Sequence, residues 1–132
     1  MLTQVRITTR KKNDWILVTD EVREAVRASG IAEGLCVVFC PHTTAGVAVN
    51  ENADPDVVRD LTAAMDRAFP DHPGFHHAEG NSAAHAKALA TGSSVTLPVA
   101  GGQPVLGTWQ GVWFCEFDGP RQRTLHIKVI RG

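Results

Sequence analysis

The sequence predicts an α+β fold: a single compact domain, residues 1–132, of mostly antiparallel β-sheets with two or three helices. Three observations lead there. Short strand-like runs open the chain and close it, and two helices lie in the middle, an order that makes an α+β domain with a mostly antiparallel sheet. No internal repeat, low-complexity stretch or linker divides the 132 residues, a length that suits one domain. The composition, 43% hydrophobic and 20% charged, is that of a globular chain able to bury a core without staples.

The elements follow in order. Residues 3–9 alternate through Val5 and Ile7 and read as a strand, and Trp15 to Val18 as a second short one. Asp20 is the expected N-cap of a helix whose apolar stripe is Val22, Ala25 and Val26 and whose stop is Gly30. Leu35 to Cys40 is a continuous apolar run and reads as a buried strand, and Val47 to Val49 as a further short strand. The clearest helix runs from about Pro55 to Phe69. Asp54 caps it, Pro55 takes the first helical position, and Val57, Val58, Leu61, Ala64, Met65 and Ala68 share one face. Residues 70–80, with two prolines and two glycines, are irregular. Asn81 or Ser82 caps another helix, about 82–91, which ends at Gly92. Ser94 to Val99 is a strand and residues 100–103 a turn. Residues 105–117 and 124–130 are expected to pair as an antiparallel hairpin, with Leu125, Ile127 and Val129 on one face.

Charge and cysteine usage narrow the function classes. Thirteen Lys and Arg against 14 Asp and Glu leave a formal net charge of −1, which argues against a nucleic-acid partner bound through its phosphates. The longest purely apolar run, Leu35 to Cys40, is too short to span a membrane. The first 14 residues lack an apolar signal core, so the expected location is cytoplasmic. Three cysteines do not make a disulfide framework. Cys36 and Cys40 are about 13 Å apart along a strand at roughly 3.3 Å per residue, so they read as small buried hydrophobes.

Four polar clusters sit where strands end or loops bend. Pro41-His42-Thr43-Thr44 follows the buried strand, so that a rigid element presents an imidazole and two hydroxyls; the alternative is a turn in which the threonines bond local backbone. Asn50 and Glu51 are not accounted for by the cap that explains Asp54 and the helix start that suits Asp56, and they are close enough in sequence to His42 to share a pocket; the alternative is a solvated helix entry. His77, Glu79, Asn81 and His85 form the third cluster. Three histidines with an open position suit a zinc-type site, and His42, His77 and His85 are the candidate set, although their spacing is not a known zinc signature; the alternative is an unrelated trio of surface histidines. The fourth runs from Gly107-Thr108-Trp109-Gln110-Gly111 to Glu116 and on to Asp118-Gly119-Pro120-Arg121-Gln122-Arg123. Trp109 and Trp113 are placed on one face of a strand, where core packing is expected for at least one of them, and Arg121 and Arg123 offer an anion clamp or a solvated hairpin end.

These blocks, in this order, resemble the YjbQ family, whose members are described as secondary thiamine-phosphate synthases. The resemblance covers about residues 4–131 and rests on HTTAGVAVNENADPDVVRDL at 42–61, HAEGNSAAHAKA at 77–88, SSVTLPVAGGQPVLGTWQGV at 93–112 and EFDGPRQR at 116–123. It implies a compact YjbQ-like α+β fold, assembly as a homotrimer, and a polar site around His42, His77 and His85 with Glu79 and Asn81 between them. Two departures stand out. His85-Ala86-Lys87 replaces the family's frequent HIK, and Gly102-Gln103 replaces a Gly-Arg or Gly-Lys, which removes a cation ahead of the GTWQ block.

The implied reaction joins a pyrimidine pyrophosphate to a thiazole phosphate and releases pyrophosphate. Such chemistry needs the leaving group neutralised and the thiazole nitrogen held in line with the methylene carbon. A divalent metal, Zn²⁺ or Mg²⁺, is the expected Lewis acid, and a histidine set favours Zn²⁺. Thr43, Thr44, Arg121 and Arg123 are the expected phosphate contacts, with Asn50 and Asn81 also facing the substrate and Trp109 stacking on a ring. His42, Glu51, Glu79 and His85 are the candidate catalytic groups. Two other readings use the same residues: a metal-dependent hydrolase with Glu51 or Glu79 as base, and a non-catalytic binder of a phosphorylated metabolite.

Overall fold

The structure is a computed structural model that describes residues 1–132. Its elements are β1 (Leu2–Thr8), β2 (Asp14–Leu17), α1 (Thr19–Ser29), β3 (Gly34–Phe39), β4 (Ala45–Glu51), α2 (Pro55–Ala68), α3 (Ser82–Thr91), β5 (Ser94–Ala100), β6 (Gln103–Pro104), β7 (Gln110–Glu116) and β8 (Gln122–Arg131). They form two wholly antiparallel sheets, a five-stranded one in the order β1-β8-β3-β5-β6 and a three-stranded one in the order β2-β7-β4. The α+β expectation holds, with three helices.

Both sheets turn their apolar positions toward a shared core. Cys36, Val38, Leu97, Leu125 and Ile127 come from the larger sheet, and Val47, Val112 and Phe114 from the smaller. Val22, Ala25 and Val26 of α1 pack into the same cluster, as their helical spacing requires. On the other face of the smaller sheet, Ala84 and Ala88 of α3 meet Cys115 and Phe117. The smaller sheet is therefore covered on both sides, which explains the near-continuous apolar run of β7.

Several expectations are corrected. The stretches 105–117 and 124–130 do not form a hairpin. β7 pairs with β2 and β4, whereas β8 pairs with β1 and β3, and the residues between them carry the chain from one sheet to the other. Residues 105–109 also lie outside β7, because a turn in which Gln110 N–H donates to Gly107 O at 3.1 Å precedes it. Trp109 therefore does not share a strand face with Trp113. It is 64% exposed, while Trp113 faces the α3 side of the sheet. Asp20 does not cap α1. Val18 holds that position, Asp20 sits in the first turn beside the positive helix end, and the Thr19 hydroxyl accepts from Val112 N–H at 2.9 Å. The Asp54 cap is as expected, accepting from Asp56 N–H at 2.9 Å.

No helix is long and apolar enough to cross a membrane.

Candidate functional site

His42 sits in the loop between β3 and β4, and His85 in the first turns of α3. The packing of α3 on the smaller sheet brings them to one cleft of about 460 Å³. Thr43 and Ser93 add hydroxyls, and Ala45, Ala88, Leu89 and Gly92 supply an apolar wall. His77 lies beside His85, with ring centroids 5.4 Å apart and the rings edge to face. Glu79 Oε1 is 3.9 Å from His77 Nε2.

The His42 ring is fixed by a contact that spacing alone does not reveal. Its Nε2 accepts a hydrogen bond from the backbone N–H of Thr124, at the start of β8, at 2.9 Å. Phe114 meets the ring edge-on at 6.5 Å. Burial, followed by the nearby charge of Arg123, holds its pKa below the ordinary value of 6.5. His42 is accordingly a neutral imidazole near pH 7.

Strand register explains the charged pair beneath it. In β8 the inward positions are Arg123, Leu125 and Ile127; in β7 they are Val112, Phe114 and Glu116. The two charges occupy the ends of these inward rows and meet inside, with Glu116 0% and Arg123 6% exposed. Arg123 Nε donates to Glu116 Oε1 at 2.7 Å, and its Nη2 pairs with Glu116 Oε2. The Glu116 carboxylate also accepts from the Thr9 hydroxyl at 2.8 Å and from Asp118 N–H at 3.1 Å. Arg123 Nη2 further donates to Thr44 Oγ1 at 2.8 Å. Arg123 thus bonds both Glu116 and Thr44 inside the chain.

A second cleft, of about 350 Å³, lies on the other side of α3. It holds Glu79, Asn81 and Asp118, together with Lys12 and the buried Lys87. Asn81 Nδ2 donates to Asp118 Oδ2 at 2.8 Å, and Arg121 bonds the same residue through Nε to its carbonyl and Nη2 to Oδ2, both at 2.8 Å. Burial opposes ionisation of Asp118, but Asn81 and Arg121 outweigh it and hold the carboxyl below its ordinary value. Lys87 pairs with Asp66 of α2.

Asn50 and Glu51 stand at the far end of β4, about 17 and about 20 Å from Ala45 at roughly 3.3 Å per residue. Asn50 Oδ1 accepts from Glu51 N–H at 2.7 Å, and Glu51 Oε2 from Asp54 N–H at 3.3 Å. They organise the entry to α2. The fold thus gathers His42, Thr43 and His85 in one cleft with His77 beside it. It puts Glu79 and Asn81 in the second cleft, with Arg121 outside its lining but bonded to Asp118, and Asn50, Glu51 and Trp109 at neither. Thr9, Asp66, Lys12 and Ser93 carried no local signal. Glu116 and Arg123 did carry one, since each continues the inward parity of its strand.

The residues of one chain do not fit a three-histidine ion. A metal-bound imidazole coordinates through one nitrogen and donates the other nitrogen's proton to an acceptor. The partner of His42 Nε2 is a donor, so the lone pair is occupied and the proton lies on Nδ1. No three His, Cys, Asp or Glu side chains converge as a ligand group.

The architecture defines a small α+β protein with a histidine-lined cleft between a helix and the edge of a two-sheet core. The sequence profile described as "UPF0047 protein YjbQ-like" matches residues 3–132, and the chain belongs to that family. It is 47% identical over 131 residues to the UPF0047 protein YugU of Bacillus subtilis, covering 98% of this chain and 99% of YugU. It is 42% identical over 130 residues to the UPF0047 protein MJ1081 of Methanocaldococcus jannaschii, covering 98% and 94% of the two chains. The crystal structure of an uncharacterised YjbQ/UPF0047 protein from Clostridium acetobutylicum superposes with a TM-score of 0.95 at 48% identity, covering 97% of this chain and 99% of that one. A YbjQ-like protein of unknown function from Sulfolobus solfataricus also gives a TM-score of 0.95, at 27% identity, covering 100% of this chain and 97% of the other.

Proposed function

We propose that this protein is a small cytoplasmic enzyme acting on a phosphorylated heterocycle in the His42–His85 cleft. The first reaction to test is the joining of a pyrimidine pyrophosphate to a thiazole phosphate. The observation that carries this reading is the meeting of His42, Thr43 and His85, from two separate sequence blocks, at one cleft. The imidazoles can move or hold protons, the Thr43 and Ser93 hydroxyls can donate to phosphate oxygens, and the wall of Ala88 and Leu89 suits a flat ring. Holding two reactants in one orientation supplies much of the acceleration such a transfer needs.

The test follows pyrophosphate release from the two phosphorylated reactants, wild type beside His85→Ala. The variant is expected to lose about a hundredfold or more in rate while its melting curve stays close to wild type. An unchanged rate in the variant, or no release with wild type, overturns the reading.

We also propose that the working unit is a homotrimer. The number three rests on the family resemblance, and α2 supports only a contact between copies: it is amphipathic, yet none of its residues is fully buried, and Val57, Val58 and Leu61 are only half covered. Light scattering is expected to give three times the 14.2 kDa chain mass, and Leu61→Asp to lower it. A monomeric wild type excludes the trimer.

A further inference from the structure

We propose that the buried Glu116–Arg123 pair is a positioning device for His42, one that fixes the imidazole as an Nδ1–H donor and withdraws it from any metal. The proposal concerns the cleft described above and rests on that reading only for the identity of the ligand.

The argument begins with the polarity of one bond. A backbone N–H can only donate, so the His42 Nε2 bonded to Thr124 N–H is the unprotonated nitrogen. In a neutral imidazole the proton is then on Nδ1. Neither nitrogen is left with a free lone pair: one is hydrogen-bonded and the other protonated. Metal-binding histidines show the reverse arrangement at the nitrogen that faces the protein.

The second step is what holds Thr124 in place. Arg123 precedes it in β8, and Thr44 is two residues beyond His42. Arg123 Nη2 donates to Thr44 Oγ1 at 2.8 Å, one residue along the strand from the Thr124–His42 bond. Two adjacent ties therefore join the start of β8 to the His42 loop. Glu116 anchors the guanidinium from the other sheet, and Thr9 and Asp118 N–H satisfy its remaining oxygen positions. A buried ion pair adds little net stability compared with well-packed apolar residues, whereas it fixes geometry through directed bonds. Here the geometry it fixes is that of the His42 loop. Arg123 and Glu116 touch neither cleft, so they act through His42.

The experiment reads the side-chain nitrogens of His42 by ¹⁵N NMR in the full chain, assigned by comparison with His42→Gln. One protonated Nδ1 and one hydrogen-bonded, unprotonated Nε2 are expected at neutral pH, and neither signal is expected to move on adding Zn²⁺. An Nε2–H tautomer, or a His42 signal displaced by Zn²⁺, overturns the assignment. Double replacement Glu116→Met with Arg123→Met tests the positioning step. It is expected to mix the tautomers and to speed hydrogen exchange of the Thr124 amide about tenfold or more. Should that variant fail to fold, Thr44→Val removes one tie alone and is expected to shift the same signals in the same direction. His42 signals and Thr124 exchange identical to wild type in a folded variant overturn the positioning role. These readings need no substrate, so a failed transferase assay leaves them decisive on their own.

Discussion

Glu116 and Arg123 end the inward-facing rows of two strands in different sheets, and they meet as an ion pair inside the protein. Removing one partner leaves the other charge buried and uncompensated, a loss of about 3–5 kcal/mol, whereas removing both costs far less. Arg123→Met and Glu116→Met are each expected to lower unfolding free energy by about that amount, and the double variant by less than either. Denaturant titration of the four proteins checks this. Additive losses would show that the pair is not coupled.

The same region sets the acid response. Burial disfavours the Glu116 charge, but the bonds from Arg123, Asp118 N–H and Thr9 outweigh it and hold the pKa below the ordinary 4.5. His42 is held below 6.5 by burial and by Arg123. Below pH 6.5 the unfolded chain takes up a proton at His42 before the folded one does, so stability declines as pH falls from there. Below pH 4.5 Glu116 adds a second decline, because its contribution is lost as pH drops through its folded value. His42→Gln keeps an acceptor for Thr124 N–H and is expected to flatten the first decline while leaving the second. Identical profiles for wild type and variant between pH 6.5 and 4.5 would show that His42 does not drive it.

The three thiols are expected to be silent in the native protein. Burial pushes Cys36 up to about 11, and it raises Cys40 and Cys115 as well. The thiolate is the reactive form, so at pH of about 8 an aromatic disulfide reagent should find almost none. No fast-reacting thiol is expected before denaturation and all three after it. A fast native reaction would mean that one of these strands opens locally.

Much of the architecture is legible in the residues because burial imposes a period. Leu125, Ile127 and Val129 alternate, Val22, Ala25 and Val26 recur at helical spacing, and Asp54-Pro55 marks a helix start. What is not legible is which sheet a strand joins. The 105–117 and 124–130 stretches look like a hairpin because they are neighbours in sequence, but their apolar faces are satisfied by facing each other across the core, in separate sheets. The site shows the same division. A histidine at a strand end and another on a helix are visible as types, but their shared cleft depends on α3 docking on the smaller sheet. Arg123 reads as a surface anion clamp until its parity with Leu125 is counted, which turns it inward. The polarity of the His42–Thr124 bond involves a backbone group and leaves no trace in side-chain identity.

That docking depends on a missing side chain. Val47 N–H of β4 donates to Gly92 O at the end of α3 at 3.1 Å, which draws the helix end against the strand. A Cβ at Gly46 would lie 2.7 Å from Gly92 O and 3.0 Å from Thr91 Cγ2. The nearer atom is backbone, so the helix end itself must retreat. Gly92, Ala88 and His85 line the same cleft, and a retreat carries the His85 side away from His42. Gly46→Ala is therefore expected to destabilise the fold by about 1–3 kcal/mol through overpacking and to lower the pyrophosphate-releasing rate proposed for the cleft beyond what the lost stability explains. Gly30→Ala serves as the control. Its Cβ meets nothing within 4 Å, and its positive φ of 69° costs stability far from the cleft. Thermal melts and rates measured on both variants, at a temperature where each is fully folded, separate the two effects. Equal activity in Gly46→Ala and Gly30→Ala would mean that the His42–His85 separation tolerates the shift.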